Sequence, residues 1–298
     1  MLTLAIETSS KSIATTLLDG SQLLLSLDSN DSPDLGSPMP RTVAGATDKL
    51  PAGYVRKRSK GKSKTSRVFP PGASVLLAPM IKRLFAQTQL KIQDVDLVAV
   101  ASGPGAFTGL RVGVVTAKVL AYSADADLIG VNTLEVIAAQ AFETMGQEID
   151  FSAPDRRILP VVNAQRQQLF VGNYACKEPW NPTEIGPNQI LDRESWLQSI
   201  RPSDILTGPG LGPLLDSIHS NLGENQSGNS EPIESPGPNA IVAPESCRSC
   251  LAESVGRLAL RKHADGFRSS LWELEPLYFR PSSAEEIAIK NAEQLGLG

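Results

Sequence analysis

Three cysteines and two histidines carry most of the reactive chemistry in this 298-residue sequence. Cys247 and Cys250 form a CxxC, and Cys176 stands alone. One such pair supplies only half of a four-ligand zinc site. At a helix start its thiols would be acidified and open to redox chemistry, but no thioredoxin-like strand–helix–strand setting surrounds it. His219 and His263 lie too far apart in sequence to share a helix face, so no HxxxH pair presents two imidazoles to a metal, and both read as surface or cap residues. No G-x-S-x-G elbow is present, which removes the serine-hydrolase arrangement. Glu7, at the end of an apolar run, has no inward carboxylate partner. It is either a metal-organising acid or a strand-end residue bonded to nearby backbone.

The run VAVASGPGAFTGLRVGVVTAKVLA (98–121) is the most informative stretch. A buried strand leads into a turn with Gly103, Gly105 and Gly109, where the backbone can take positive φ or approach another group closely. Thr108 is placed to cap the helix that follows, and a helix N-terminus presents free N–H groups. The turn matches neither common phosphate motif. It lacks the Lys-Ser/Thr ending of the Walker pattern, and its third glycine falls one residue late for G-x-G-x-x-G. Two readings stay open: a tight turn with close helix–strand packing, or a nucleotide or anion site formed by Glu7, Thr8, Gly103, Gly105, Thr108 and Gly109.

The elements that position these residues follow from periodicity. Residues 2–8, 12–19 and 21–27 read as three strands, the last two joined at Asp19-Gly20, a strong hairpin signal. A helix is expected over 74–88, loosened at Pro79, then a strand over 95–101, a helix over 108–124, a short strand over 129–131 and a helix over 133–145. The second half gives strands at 158–163 and 169–175, helices near 193–200 and 211–219 around a strand at 204–207, and a helix over 247–264. Two successive units of this kind predict an α/β chain of two duplicated lobes, residues 1–150 and 151–298, without residue identity between them. Residues 28–72, rich in Ser, Pro, Gly and Asp, read as a disordered insertion in the first lobe, and residues 220–240, rich in Gly, Pro and Ser, as a loose loop in the second.

Hydrophobic residues are 41% and charged residues 20% of the chain, enough apolar material for two cores. The odd cysteine count makes no disulfide framework, the N-terminus reads as a strand, and no apolar run is long enough for a membrane span, so a reducing cytoplasm is expected. The net charge of −4 argues against a surface devoted to nucleic acid. The positive charge is concentrated instead in Arg56, Lys57, Arg58, Lys60, Lys62, Lys64 and Arg67. That run is either a solvated loop or a contact to RNA phosphates.

Taken in order, LAIETSSKSIATTLL, LLAPMI, SGPGAFTGLRVG, GVNTLEVIA and EPLYFR resemble the TsaB family, bacterial tRNA threonylcarbamoyladenosine biosynthesis proteins. The likeness spans most of residues 1–27, 74–175 and 245–280. It implies an actin-like (ribonuclease H-like) fold, two lobes each with a mixed sheet and flanking helices. It also implies a non-catalytic accessory role beside the catalytic paralogue TsaD and the small ATPase TsaE, reaching tRNA through their complex. The resemblance gives the chain no intrinsic cofactor and places ATP or ADP in the partner complex. Helices 74–88 and 108–124 carry apolar residues on more than one face, which by spacing alone reads as core; the resemblance implies instead that parts of them, through Leu76, Met80, Leu84, Val112, Val115 and Val119, pack against TsaD or a second copy of the chain. The rival readings are an actin-like ATP-dependent enzyme and a glycoprotease-like metallopeptidase. Two family positions differ here: Ala73 stands where histidine is common, and the family's Asp-Ala-Arg turn reads Asn163-Ala164-Gln165.

Overall fold

Leu, Val, Ile and Ala alternate or run together in short segments along the chain, and these segments build two five-stranded sheets. The computed structural model describes residues 1–30, 72–151, 156–218 and 240–279. The first sheet contains β1 (Leu2–Glu7), β2 (Ala14–Asp19), β3 (Gln22–Asp28), β4 (Leu97–Gly103) and β5 (Asp127–Asn132), in the order β3-β2-β1-β4-β5. β2 is antiparallel to β1 and β3, while β4 and β5 run parallel to β1. The second sheet contains β6 (Ile158–Gln165), β7 (Gln168–Cys176), β8 (Pro182–Asp192), β9 (Ile205–Thr207) and β10 (Ile241–Val242), in the order β8-β7-β6-β9-β10. Taken from its own first strand, it repeats the 3-2-1-4-5 order and the same pattern of strand directions. This duplicated mixed sheet is the topology expected from the sequence.

Side-chain alternation gives each sheet two faces. On the first sheet, Leu4, Ile6, Val98, Val100 and Leu128 point outward to α1 (Ala73–Thr88) and α2 (Phe107–Ala124). Ala5, Leu97, Ala99, Ala101, Ile129 and Val131 point inward to α3 (Thr133–Met145) and α5 (Ala252–Ala264). The same inner core takes in Ile158, Val162, Tyr174 and Ile205 of the second sheet, and α3 is shared between the sheets. The outer face of the second sheet packs on Trp196 of α4 (Arg193–Ser199) and on Leu211 and Leu214 of a short 3-10 turn.

Several sequence expectations change here. Residues 252–279 follow the second sheet in the chain but pack on the first: a Cβ at Gly256 of α5 would meet Leu18 and Ala5. Residues 265–279 form an irregular strap that covers β5 beside α2. Ser269 N–H donates to Leu128 O at 2.8 Å, Gly130 N–H donates to Ser269 Oγ at 3.0 Å, and Leu271 and Leu274 join the outer core. β8, not expected from the sequence, is an edge strand that tolerates Pro187 and Gly186 because one side of it needs no ladder partner. The predicted 211–219 helix opens as a 3-10 turn over Pro209–Leu214, and the helix expected from 247 begins at Ala252. Pro79 lies within one continuous helix, α1. The basic run Arg56–Arg67, most of the 28–72 insertion, most of the 220–240 loop and His219 lie outside the described residues.

Candidate functional site

Parallel strands β1 and β4 end side by side, and the turns leaving them meet. Glu7 ends β1 and Thr8 follows it, Gly103 ends β4 and Gly105 lies in the turn after it, and Gly109 is in the first turn of α2, so five of the six residues predicted for a nucleotide or anion site converge. The glycines are needed for different reasons. Gly103 has φ +123° and lies under Leu110 and the Leu277 carbonyl. Gly105 and Gly109 have no such dihedral, but a Cβ on either would overlap the carbonyl oxygen of Ser9 or Thr8. Gly113, one turn further along α2, lies against Thr8 Oγ1. The β1 turn thus nests into a furrow of small residues on α2.

This nesting occupies part of the helix terminus. Ala106 N–H donates to Ser9 O at 2.6 Å, a protein partner in the place an anion would take. Ala106, not Thr108, is the N-cap residue, and no side chain caps the helix; Thr108 lies one residue inside the helix and is exposed.

Glu7 is buried. Its Oε1 accepts from Ser9 N–H and Ser9 Oγ, both at 2.6 Å, and from Ser10 N–H at 3.2 Å, while Oε2 has no hydrogen-bond partner. Burial pushes the Glu7 carboxyl above its usual range, and the Ser9, Cys250 and Ser10 contacts only partly oppose this. The neighbouring Cys250 thiol is raised well above its usual range, by burial and then by Glu7. Burial also raises Cys247, whose Sγ lies 3.2 Å from Pro244 O, and lifts Cys176 to about 11. All three thiols are free and buried, and both members of the CxxC precede α5. His263 Nε2 lies 2.7 Å from Asp127 Oδ2, which also accepts from Arg268 Nε at 2.6 Å. Among the described residues, no group of three or more His, Cys, Asp or Glu side chains is placed to hold a metal.

The predicted partner surface divides. Leu76, Met80 and Leu84 are core residues of α1, because their stripe is the one that faces the sheet. Val112 is half-buried against the same core. Val115 and Val119 are each 60% exposed, and Tyr122, which continues their spacing, is 72% exposed. Val75 adds a 58% exposed side chain on α1.

The sequence reading missed how the strap joins this region. Leu277 N–H donates to Ser102 O at 2.7 Å, on the glycine turn itself. Tyr278 stacks on Phe107 with centroids 4.8 Å apart and accepts from Arg111 Nε at 2.8 Å, and the Arg111 guanidinium lies 4.0 Å over Phe107. The only trace of this in the sequence is EPLYFR, an aromatic motif far from the turn it touches. A second missed signal is an internal repeat. Ser102-Gly103-Pro104-Gly105 after β4 recurs as Thr207-Gly208-Pro209-Gly210 after β9, the corresponding strand of the other sheet.

Residues 72–179 match the family model for TsaD, tRNA N6-adenosine threonylcarbamoyltransferase. The chain is 32% identical over 131 residues to the tRNA threonylcarbamoyladenosine biosynthesis protein TsaB of Bacillus subtilis, covering 44% of this chain and 52% of that one. It is 30% identical over 143 residues to the protein of the same name from Buchnera aphidicola, covering 46% and 63%. The chain therefore spans about half the length of the curated relatives it matches. Among solved structures, YeaZ from Pseudomonas aeruginosa superposes with a TM-score of 0.58 at 19% identity, over 93% of this chain and 99% of that one. That likeness supports the actin-like two-sheet fold.

Proposed function

We propose, for a chain that belongs to the TsaB family, the role of a non-catalytic accessory subunit that supports a TsaD-type threonylcarbamoyltransferase in making N6-threonylcarbamoyladenosine in tRNA. The observation that carries this reading is the outward stripe Val115, Val119 and Tyr122 on α2. Side chains of this size left in water at regular helical spacing mark an interface rather than a core. The likeness of residues 72–179, which include α1 and α2, to the transferase family model supports a TsaD-type chain as the partner. A relative with the same helix pair can meet this one face to face about a pseudo-two-fold axis. A second copy of this chain meets the same requirement, so a homodimer is the competing assembly.

Chemistry is assigned to the partner. The chain has only two histidines, and His263 is paired with Asp127. In this reading ATP or ADP belongs to the partner complex, as the family likeness implies; the Ala106 N–H–Ser9 O bond at the glycine turn fits that reading. A TsaE-type ATPase completes the assembly. tRNA reaches it through the complex, with the basic run 56–67 as a contact to phosphates. Three free thiols suit a reducing cytoplasm, and no helix among the described residues is long and apolar enough to cross a membrane.

The test combines affinity capture of the cognate TsaD-type protein with a reconstituted tRNA modification assay. This chain alone should give no product, and the combined proteins should. Val119→Asp should weaken both capture and homodimer while leaving the monomer's melting curve unchanged, because the side chain is already 60% exposed. Turnover by the isolated chain, abolished by one substitution, would overturn the accessory role.

A further inference from the structure

The most exposed large apolar side chain among the described residues is Trp272 of the strap, at 81%. Its backbone is held firmly. Lys118 Nζ donates to the carbonyl oxygens of Trp272 and Leu274 at 3.3 and 3.2 Å, a cationic clamp on two strap carbonyls. Leu274 fills the hollow over Gly130, where a Cβ would meet its side chain at 2.5 Å. Seven residues before Lys118, Arg111 holds the other end of the strap through Tyr278.

At 100° per residue, Arg111 and Lys118 fall on one flank of the Val115–Val119–Tyr122 stripe, about 40° and 60° from Val115. The strap is therefore fixed along the border of the exposed stripe, with its tryptophan in solvent and Leu271 and Leu274 packed against the outer core. Were the strap only a cover for β5, Leu271, Leu274 and the Ser269 bonds would suffice, and an indole in water would gain nothing.

We infer that the partner face of this chain has two parts, the α2 stripe and the docked strap, with Trp272 as an aromatic anchor for the TsaD-type subunit. This rests on the partner reading above and adds a specific segment to it. Tryptophan combines a large apolar surface with few rotatable bonds and is enriched among residues that dominate interfaces. Lys118 is a positioning residue. It sets where the anchor stands without itself entering the contact.

The experiment measures affinity of the full chain and its variants for the cognate TsaD-type protein, alongside melting curves and limited proteolysis of the free chain. Trp272→Ala should melt like the wild type and bind about thirty-fold more weakly. Lys118→Met, which unclamps the strap but leaves the indole, should bind several-fold more weakly and be cut faster within residues 267–279. A wild-type chain that binds, with a Trp272→Ala variant that binds equally well, overturns the strap's part and leaves the α2 face standing. A wild-type chain that does not bind overturns the partner reading and this inference with it. Loss of binding with Trp272→Ala but wild-type affinity and proteolysis with Lys118→Met keeps the anchor and overturns the clamp.

Discussion

The two sheets share one strand order but use the end of their fourth strand differently. After β4, Ser102-Gly103-Pro104-Gly105 opens the eighteen-residue helix α2, whose far side stays in solvent. After β9, Thr207-Gly208-Pro209-Gly210 opens a six-residue 3-10 turn whose Leu211 and Leu214 are buried in the core. The same turn thus serves once to project a helix and once to close a core. The start of each fourth strand repeats a second device. Asp96 accepts from Leu2 N–H at the head of β1 at 2.7 Å, and Asp204 takes the Arg157 guanidinium just before β6, with Nε at 2.9 Å. Both aspartates tie a backbone N–H, Asp204 that of Arg201 at 2.7 Å, but only Asp204 also holds a nearly buried cation, so the likeness of the two positions does not make them energetically equal.

That inequality can be tested, starting with the largest expected effect. Asp204→Ala leaves the nearly buried Arg157 uncompensated and should cost about 3–5 kcal/mol in urea unfolding. Asp96→Ala removes one hydrogen bond to a backbone N–H and should cost about 1–2 kcal/mol. Equal losses would mean that the Arg157 charge finds water on its own.

The glycines separate on the same scale. Gly208 combines φ +105° with close approach to Val161 backbone, whereas Gly105 has only the close approach to Ser9. Gly208→Ala should therefore be worse than Gly105→Ala by about 1–3 kcal/mol, the strain of a positive φ. The reverse order would mean that Ser9 cannot yield and Val161 can.

Glu7 has no counterpart in the second lobe, and its effect shows as pH dependence. Its folded pKa is raised above the ordinary carboxylate value, so its contribution is fully present below about pH 4.5, the ordinary value. It is lost as pH rises through the folded value. Glu7→Gln imitates the neutral acid, so its stability relative to wild type should increase between pH 5 and pH 8. A gap that stays constant with pH would show that the folded carboxyl is ionised throughout.

The smallest effect concerns Asp127, half exposed between His263 and Arg268. Those partners outweigh its partial desolvation and hold it below the usual carboxylate range. Asp127→Asn should cost no more than about 1 kcal/mol, and less in high salt. A loss as large as that of Asp204→Ala would show that this exposed cluster is a main anchor of the strap.

The sequence was most legible where period and burial agree. Strands β1, β4 and β6 are nearly continuous apolar runs, and Asp19-Gly20 marks its hairpin with Gly20 at φ +55°. The convergence of Glu7 with the glycine turn was visible because both sit at strand ends. What failed did so where a residue's neighbour is remote in sequence. On α1, apolar side chains occur on several faces, and only the sheet shows that Leu76, Met80 and Leu84 are inward and Val75 outward. β8 is broken by prolines that only an edge position tolerates. The strap has no period at all, since its contacts are with Arg111, Lys118 and Gly130, more than a hundred residues earlier.

Helix α5 packs on the inner face of a sheet completed by residue 132, yet its own residues begin at 252. A ribosome that has delivered the whole first sheet has delivered it with part of one face bare, and the bareness lasts until a further hundred or more residues have emerged. Domain-by-domain folding from the N-terminus, the usual course for a chain of this size, would here leave the first sheet without its α5 cover until the second sheet has been made. Its nascent form carries that apolar surface uncovered from residue 132 until residue 252 has been added.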